Sequence, residues 1–392
     1  MDNVWLSSAL WVGLALIASV TQRWIAVSIA LIEIVVGAVA GNLVELALTP
    51  WVNYLAGFGA IPLTFLAGAE IDVDVIRRNF GSTMSIGLVG FLAPYLGVLA
   101  FAHFVAGWAW PQAQIAGIAL STTSVAVVYA VMIETGFNQT EIGKIILAAC
   151  FVNDLGTVLA LGVVFANYNL WLIGFAVATV AVLLLLPRFT PWFFAWIGPR
   201  VSEPQVKFVL LLLFLLGGLA NTAKSEAVLP AYLIGIVLAP LFLRDRELMH
   251  RFRVIAFTVL TPFYFLKAGS LVRADVLVAS AGLILIYLAV KMITKFVGIL
   301  PLTRLFRFER REGLYTTLLM STGLTFGSIS ALFGLTNHII DERQYTILLT
   351  AVIGSAVVPT LIAERWFQPV FKPLRSGAGT STEATATAKG DC

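Results

Sequence analysis

The sequence predicts an all-α membrane protein of about thirteen transmembrane helices, built as inverted structural repeats with two broken helices crossing between them. Three observations carry this. Of 392 residues, 59% are hydrophobic and 12% are charged, where soluble domains carry roughly 25% charged residues. The mean hydropathy is +0.94, and the apolar stretches are long, without the strict alternation of a membrane barrel. Two distant segments also resemble each other. The net charge of +4 is scattered over loops and implies no nucleic-acid partner. The two cysteines, Cys150 and Cys392, suggest no disulfide framework.

Spans are expected near 5–21, 24–44, 51–72, 83–108, 113–134, 142–166, 169–187, 205–222, 226–243, 254–272, 274–300, 312–337 and 342–368. The first lacks a basic leader and a small-residue cleavage site, so it reads as a span rather than a signal peptide. Pro187–Pro204 is short and proline-rich, and reads as an interfacial segment between two halves. Arg23, Arg77, Arg78, Lys144, Arg188, Arg200, Lys207, the Arg244–Arg253 cluster, the Arg304–Arg311 cluster, Lys372 and Arg375 fall on one side. Lys224, Arg273 and Arg343 fall on the other. The positive-inside rule then puts the N-terminus outside and the C-terminus in the cytoplasm. Residues 1–373 form the transmembrane domain, and 374–392, poor in bulky apolar residues, a disordered cytoplasmic tail.

The repeat is read from two pairs of segments. LSTTS (120–124) matches MSTGL (320–324), and IILAACFVNDLG (145–156) aligns without gaps to ILLTAVIGSAVV (347–358). Asn153–Asp154 then corresponds to Ser355–Ala356. An odd number of spans separates the copies, which inverts one against the other, and transporters of that design place their site near the midplane. Ser121, Thr122, Thr123 and Ser124, with Ser321, Thr322, Gly323 and Thr325, are polar at mid-depth. For one segment alone, close helix packing with Ser and Thr bonded to their own backbone would explain this. Two segments at matching repeat positions favour broken helices.

Few ionisable residues lie within spans, and those that do are functional candidates. Asp154 is foremost, flanked by apolar residues for two turns; the alternative is a protonated carboxyl bonded within a bundle. Lys295 is next, with Lys291 one turn earlier on a similar face. A buried lysine beside a carboxylate can hold or release a proton. Snorkelling to the surface suits neither lysine, because Pro301 and the basic loop lie further on. Lys267, near the outer end of its span, either snorkels outward or has a role. Glu70, with Asp72 and Asp74, either lines a cytoplasmic cation funnel or is a solvated helix end. Glu33 is a lone acid placed for a dimer or lipid contact.

These residues together resemble the monovalent cation:proton antiporter superfamily, and most closely its NapA-like bacterial Na⁺/H⁺ antiporters. The motifs are SIALIEIVVGAVAGNL, GAEIDVDVIRRN, KIILAACFVNDLG, PFYFLKAGSLV, ITKFVG and MSTGLTFGSISALFGL. The resemblance implies a homodimer in the inner (plasma) membrane, with a dimerisation subdomain and a mobile core subdomain. It implies that Asp154 binds Na⁺ and H⁺ in turn, that Thr123 and Ser124 are the broken-helix positions beside it, and that Lys295 is the supporting charge. The family pattern is Asp–Asp, and this chain has Asn153–Asp154, a form associated with electroneutral exchange. The kept lysine belongs to the electrogenic branch. No cofactor and no enzymatic activity are expected. The other readings are K⁺/H⁺ exchange by the same route and a sodium-coupled organic anion symporter. An intramembrane aspartyl protease would need a second interior aspartate.

Overall fold

In the computed structural model, the described residues are 4–24, 28–44, 46, 48–71, 73–135, 137, 140–165, 170–198, 202–223 and 227–368. Asp72, Arg200, Lys224 and the tail 374–392 lie outside them, as do Lys372 and Arg375. Among the described residues every regular element is helical. The chain opens with α1 (Val4–Gln22), α2 (Ile29–Leu43) and α3 (Pro50–Ala69), then α4 (Val73–Arg78) and α5 (Phe80–Ala100), which a π-helical turn extends to Val105. Next come α6 (Trp110–Ser121), α7 (Val125–Thr135), α8 (Glu141–Val164), α9 (Leu170–Ile197), α10 (Pro204–Thr222) and α11 (Val228–Arg244). α12 (Arg246–Ile255) passes through a π-helical turn into α13 (Thr261–Ser270). α14 (Ala274–Ala279) precedes α15 (Ala281–Leu305), followed by α16 (Arg310–Met320), α17 (Thr325–Thr336) and α18 (Glu342–Ile362).

Ten spans among the described residues are long and apolar enough to cross a bilayer, and α2 and α11 are shorter apolar helices. The other three expected positions are occupied by these two and by the interrupted α6–α7 unit, none of which is a continuous helix of that length. This is a multi-pass membrane protein. One expectation is corrected. Pro187 and Pro191 lie inside α9, which runs unbroken to Ile197, so 187–197 is the end of a span rather than a separate interfacial segment. Each proline removes one backbone donor, but aromatic packing holds this end against α10. Phe193 and Phe189 sit with their ring centroids 4.9 and 5.8 Å from that of Phe208.

The helices pack as two groups. α1, α2, α3, α9, α10, α11 and α13 form the first, here called the scaffold, with α11 on α3 and α13 on α2 and α3. α5, α6, α8, α15, α16, α17 and α18 form the second, the core group. Small residues allow the closest seams, as is usual where lipid supplies no hydrophobic drive. Gly68 of α3 meets the α11 backbone at Tyr232 and Gly235, and Gly37 and Gly41 of α2 meet the α13 backbone at Leu266 and Ser270. Glu33 lies one turn before Gly37 and is 3% exposed. It is therefore covered within the chain, and the expectation of an outward dimer or lipid contact is corrected.

Candidate functional site

The two breaks fall where the repeat places them. Thr122, Thr123 and Ser124 separate α6 from α7, and Ser321, Thr322, Gly323 and Leu324 separate α16 from α17. Thr122 is extended at φ −63° and ψ 152°. Interrupting a helix frees backbone groups that must find partners inside the protein, and here the two breaks satisfy each other. Ser124 N–H donates to Thr322 O at 3.1 Å, and Thr123 Oγ1 donates to Met320 O at 2.8 Å. Ser124 Oγ accepts from Val127 N at 3.4 Å, capping the first turn of α7. Thr322 Oγ1 bonds back to Leu319 O at 2.8 Å.

α8 brings Asn153 and Asp154 to this crossing, both fully buried, at 0% and 2% exposed. The Asn153 amide splints the first break: Thr123 N–H donates to Oδ1 at 2.9 Å, and Nδ2 donates to Ser121 O at 3.4 Å. Asp154 differs. Its Oδ1 is buried without a hydrogen-bond partner, and none of the ion pairs among the described residues includes it. A buried, unpaired carboxylate oxygen is costly; a proton or a cation would relieve it.

α15 supplies the positive charge. Its buried positions are Ile284, Tyr287, Lys291, Lys295, Ile299 and Thr303, a single stripe at helical spacing, while Ile293 and Val297 face outward. Both lysines are 0% exposed, so both are inward and neither snorkels. Lys295 Nζ donates to Thr123 Oγ1 at 2.9 Å. Lys291 Nζ donates to Ser355 Oγ at 2.8 Å and to Thr122 O at 3.3 Å. Ser355 is the repeat counterpart of Asn153, and its hydroxyl lies 3.3 Å from Gly323 O in the second break. Sequence reasoning named Lys295 and left Lys291 open, and it missed Ser355 as the side chain that receives Lys291 and reaches Gly323 O in the second break. The gapless repeat alignment held the clue: each residue at the Asn153 position grips a break.

A cavity of about 300 Å³ opens beside the Lys144 end of α8 and reaches Phe151. Three residues of helix, about 4.5 Å of rise, separate Phe151 from Asp154. Glu70 lines this cavity together with Lys144, Arg246 and Arg253. It does so as one arm of an ion pair: Arg253 Nη2 and Nε reach Glu70 Oε1 at 2.6 and 3.1 Å. Among the described residues the wall thus carries three basic side chains and one acidic one; Asp74 sits on α4 and is not among the lining residues. Lys267 is 9% exposed, on α13, which packs on α2 and α3 rather than at the crossing.

The family model described as "Sodium/hydrogen exchanger, transmembrane" matches residues 12–368. A protein of Methanocaldococcus jannaschii named probable Na⁺/H⁺ antiporter 3 is 25% identical over 350 residues, covering 86% of this chain and 88% of that one. A Bacillus cereus protein named Na⁺/H⁺-K⁺ antiporter GerN is 21% identical over 345 residues, covering 84% of this chain and 88% of that one. The solved structure of the sodium proton antiporter MjNhaP1 from M. jannaschii superposes with a TM-score of 0.68 at 15% identity, over 91% of this chain and 95% of that one. Two crossed, interrupted helices around a buried aspartate are thus joined by a family match that runs over nearly the whole length, and the chain belongs to the sodium/hydrogen exchanger family.

Proposed function

We propose that this protein is a secondary antiporter that exchanges Na⁺ for H⁺ across the membrane by exposing Asp154 alternately to each side. One observation carries the reading: Asp154, at the crossing of two broken helices, keeps a buried carboxylate oxygen without a partner. Na⁺ and H⁺ are exclusive occupants of that oxygen. Hard cations take oxygen ligands, and water entering from the cavity beside Phe151 completes the shell. Thr123 already holds both Asn153, through its N–H, and Lys295, through its Oγ1, so the part of Thr123 and Asn153 is to fix the break rather than to ligate. Only the occupied carboxylate crosses the dry barrier cheaply, and that difference couples the two fluxes. Asn153 adds no second titrating acid, which supports electroneutral one-for-one exchange.

The basic loops support an N-terminus outside and a C-terminus in the cytoplasm, and membership of the exchanger family supports residence in the inner (plasma) membrane. The Lys144-side cavity is then cytoplasmic and this conformation faces inward. The scaffold group supplies the surface for a homodimer, and the core group is the mobile part. The chain transports and does not act as an enzyme.

The test uses purified protein in acid-loaded liposomes with an internal pH dye and added Na⁺, K⁺ or Li⁺, with and without a potential clamp. Na⁺-driven alkalinisation that ignores the clamp is the expected result. The name of the B. cereus relative includes K⁺, and a K⁺ response larger than that to Na⁺ would reassign the ion. Asp154→Asn keeps side-chain size and should abolish exchange while leaving the folded yield unchanged. Persistent exchange in that variant would overturn the reading.

A further inference from the structure

Two buried tyrosines join the packing groups, each through a main-chain carbonyl of the opposite group. Tyr232, on α11 of the scaffold, is 0% exposed and donates to Phe151 O on α8 at 2.9 Å. Tyr345, on α18 of the core group, is 0% exposed and donates to Ala268 O on α13 at 2.6 Å. The arrangement is reciprocal: the scaffold's hydroxyl takes a core carbonyl, and the core's hydroxyl takes a scaffold carbonyl. Ala268 lies in the last turn of α13, where carbonyls lack helical donors. Phe151 lies in mid-helix, so Tyr232 adds a bond to a carbonyl that α8 already uses. The places matter as much as the bonds. Phe151 lines the cavity, one turn from Asp154. Tyr345 lies near the start of α18, beside Thr346, whose Oγ1 accepts from Arg273 N at 3.3 Å, and near Glu342, which pairs with Arg273 at 3.2 Å.

We propose that Tyr232 and Tyr345 are positioning residues that form a two-point clasp, holding the core group in the state whose cavity reaches toward Asp154. This rests on the alternating-exposure reading above. A displacement of one helical turn, about 5.4 Å, exceeds the reach of a hydrogen bond, about 3 Å between heavy atoms. Both hydroxyls must therefore let go whenever Asp154 turns to the other side. Neither tyrosine is a ligand of the ion; each sets how the two conformations are populated.

The test is Tyr232→Phe and Tyr345→Phe, which keep the rings and remove only the donors. Half-saturating Na⁺ is measured at each face separately, in right-side-out and inverted vesicles. Losing a bond made in one state alone shifts the population away from it. Half-saturation at the cavity side should rise and that at the opposite side should fall, each by about 2- to 10-fold for one hydrogen bond. A rise at both faces would make the tyrosine a ligand, and a fall in folded yield with both values unchanged would make it merely structural; either overturns the clasp. A second measurement does not depend on exchange. With Cys150→Ala and Cys392→Ser as background, Leu147→Cys on the cavity wall is labelled by an impermeant thiol reagent in inverted vesicles. Adding Tyr232→Phe should slow labelling several-fold, and an unchanged rate would sink the clasp. Absence of Na⁺/H⁺ exchange in the parent protein would instead overturn the function proposed above and leave this second readout standing.

Discussion

Lys291 Nζ donates to Ser355 Oγ at 2.8 Å, so the second repeat grips its break through a fixed ammonium where the first uses the Asn153 amide. The same nitrogen reaches Thr122 O in the first break, and one lysine thereby ties both interruptions together. Lys291→Ala should remove these bonds, open a cavity and destabilise the protein by about 2–5 kcal/mol, the range for large-to-small core changes. Thermal unfolding of the purified protein measures this. Because Lys291 bonds to Ser355 rather than to Asp154, half-saturating Na⁺ should stay within about twofold in the fraction that remains folded. A loss of Na⁺ affinity without loss of stability would place Lys291 in the ion site instead.

Competition at a single carboxylate fixes the sign of the pH dependence. Protons and Na⁺ exclude each other at Asp154, so lowering the pH must raise half-saturating Na⁺. In the limit where the proton holds the site, the rise approaches about tenfold per pH unit for one-for-one exclusion. Exchange rates measured over a grid of pH and Na⁺ concentration give this slope. A half-saturation that ignored pH would mean that separate groups bind the two ions.

Much of this was legible in the chain because hydrophobic length sets spans directly. Asp154, Lys295 and the Thr122–Ser124 interruption stood out as polar residues in apolar surroundings, and the match of MSTGL (320–324) to LSTTS (120–124) located the second break. The rest was hidden for physical reasons. Pro187 and Pro191 suggested an end to α9, but tertiary packing by Phe189 and Phe193 against Phe208 carries the helix through. Glu70 looked acidic in sequence, and its partner Arg253 lies 183 residues away. Tyr232 carries no signal at all in a row of apolar residues, since its acceptor is a main-chain carbonyl whose position only the fold defines.

Arg273 links the start of α14 to the start of α18, pairing with Asp275 at 3.0 Å and with Glu342 at 3.2 Å. The hydrogen bond from Arg273 holds the Asp275 carboxyl below the usual carboxylate range. A carboxylate with a lowered folded value stabilises above its unfolded value, and that contribution disappears as the pH falls through the folded one. Both side chains are more than half exposed, so the effect is small. Asp275→Asn should lower the melting temperature slightly at neutral pH, and the gap to the parent should close as the medium is acidified below the carboxylate range. A gap that widened on acidification would contradict the pairing.

Gly323 stands at the repeat position of Thr123, and the difference between them has a steric cause. A Cβ at residue 323 would fall on Lys291 Nζ and crowd Thr122 Oγ1 and its carbonyl. At the first break Thr123 uses its side chain to receive Lys295; at the second the lysine comes so close that a Cβ would force its ammonium to move. Gly323→Ala should therefore displace Lys291 from Ser355, with a loss of stability comparable to that of Lys291→Ala. The two effects should not add, because they break one contact: the double variant should melt within about 1 °C of the less stable single variant, corresponding to about 0.8 kcal/mol for a chain of this length. If the two shifts instead summed, Gly323 would be needed for something other than making room for Lys291, and the crossing would have to be held by its backbone alone.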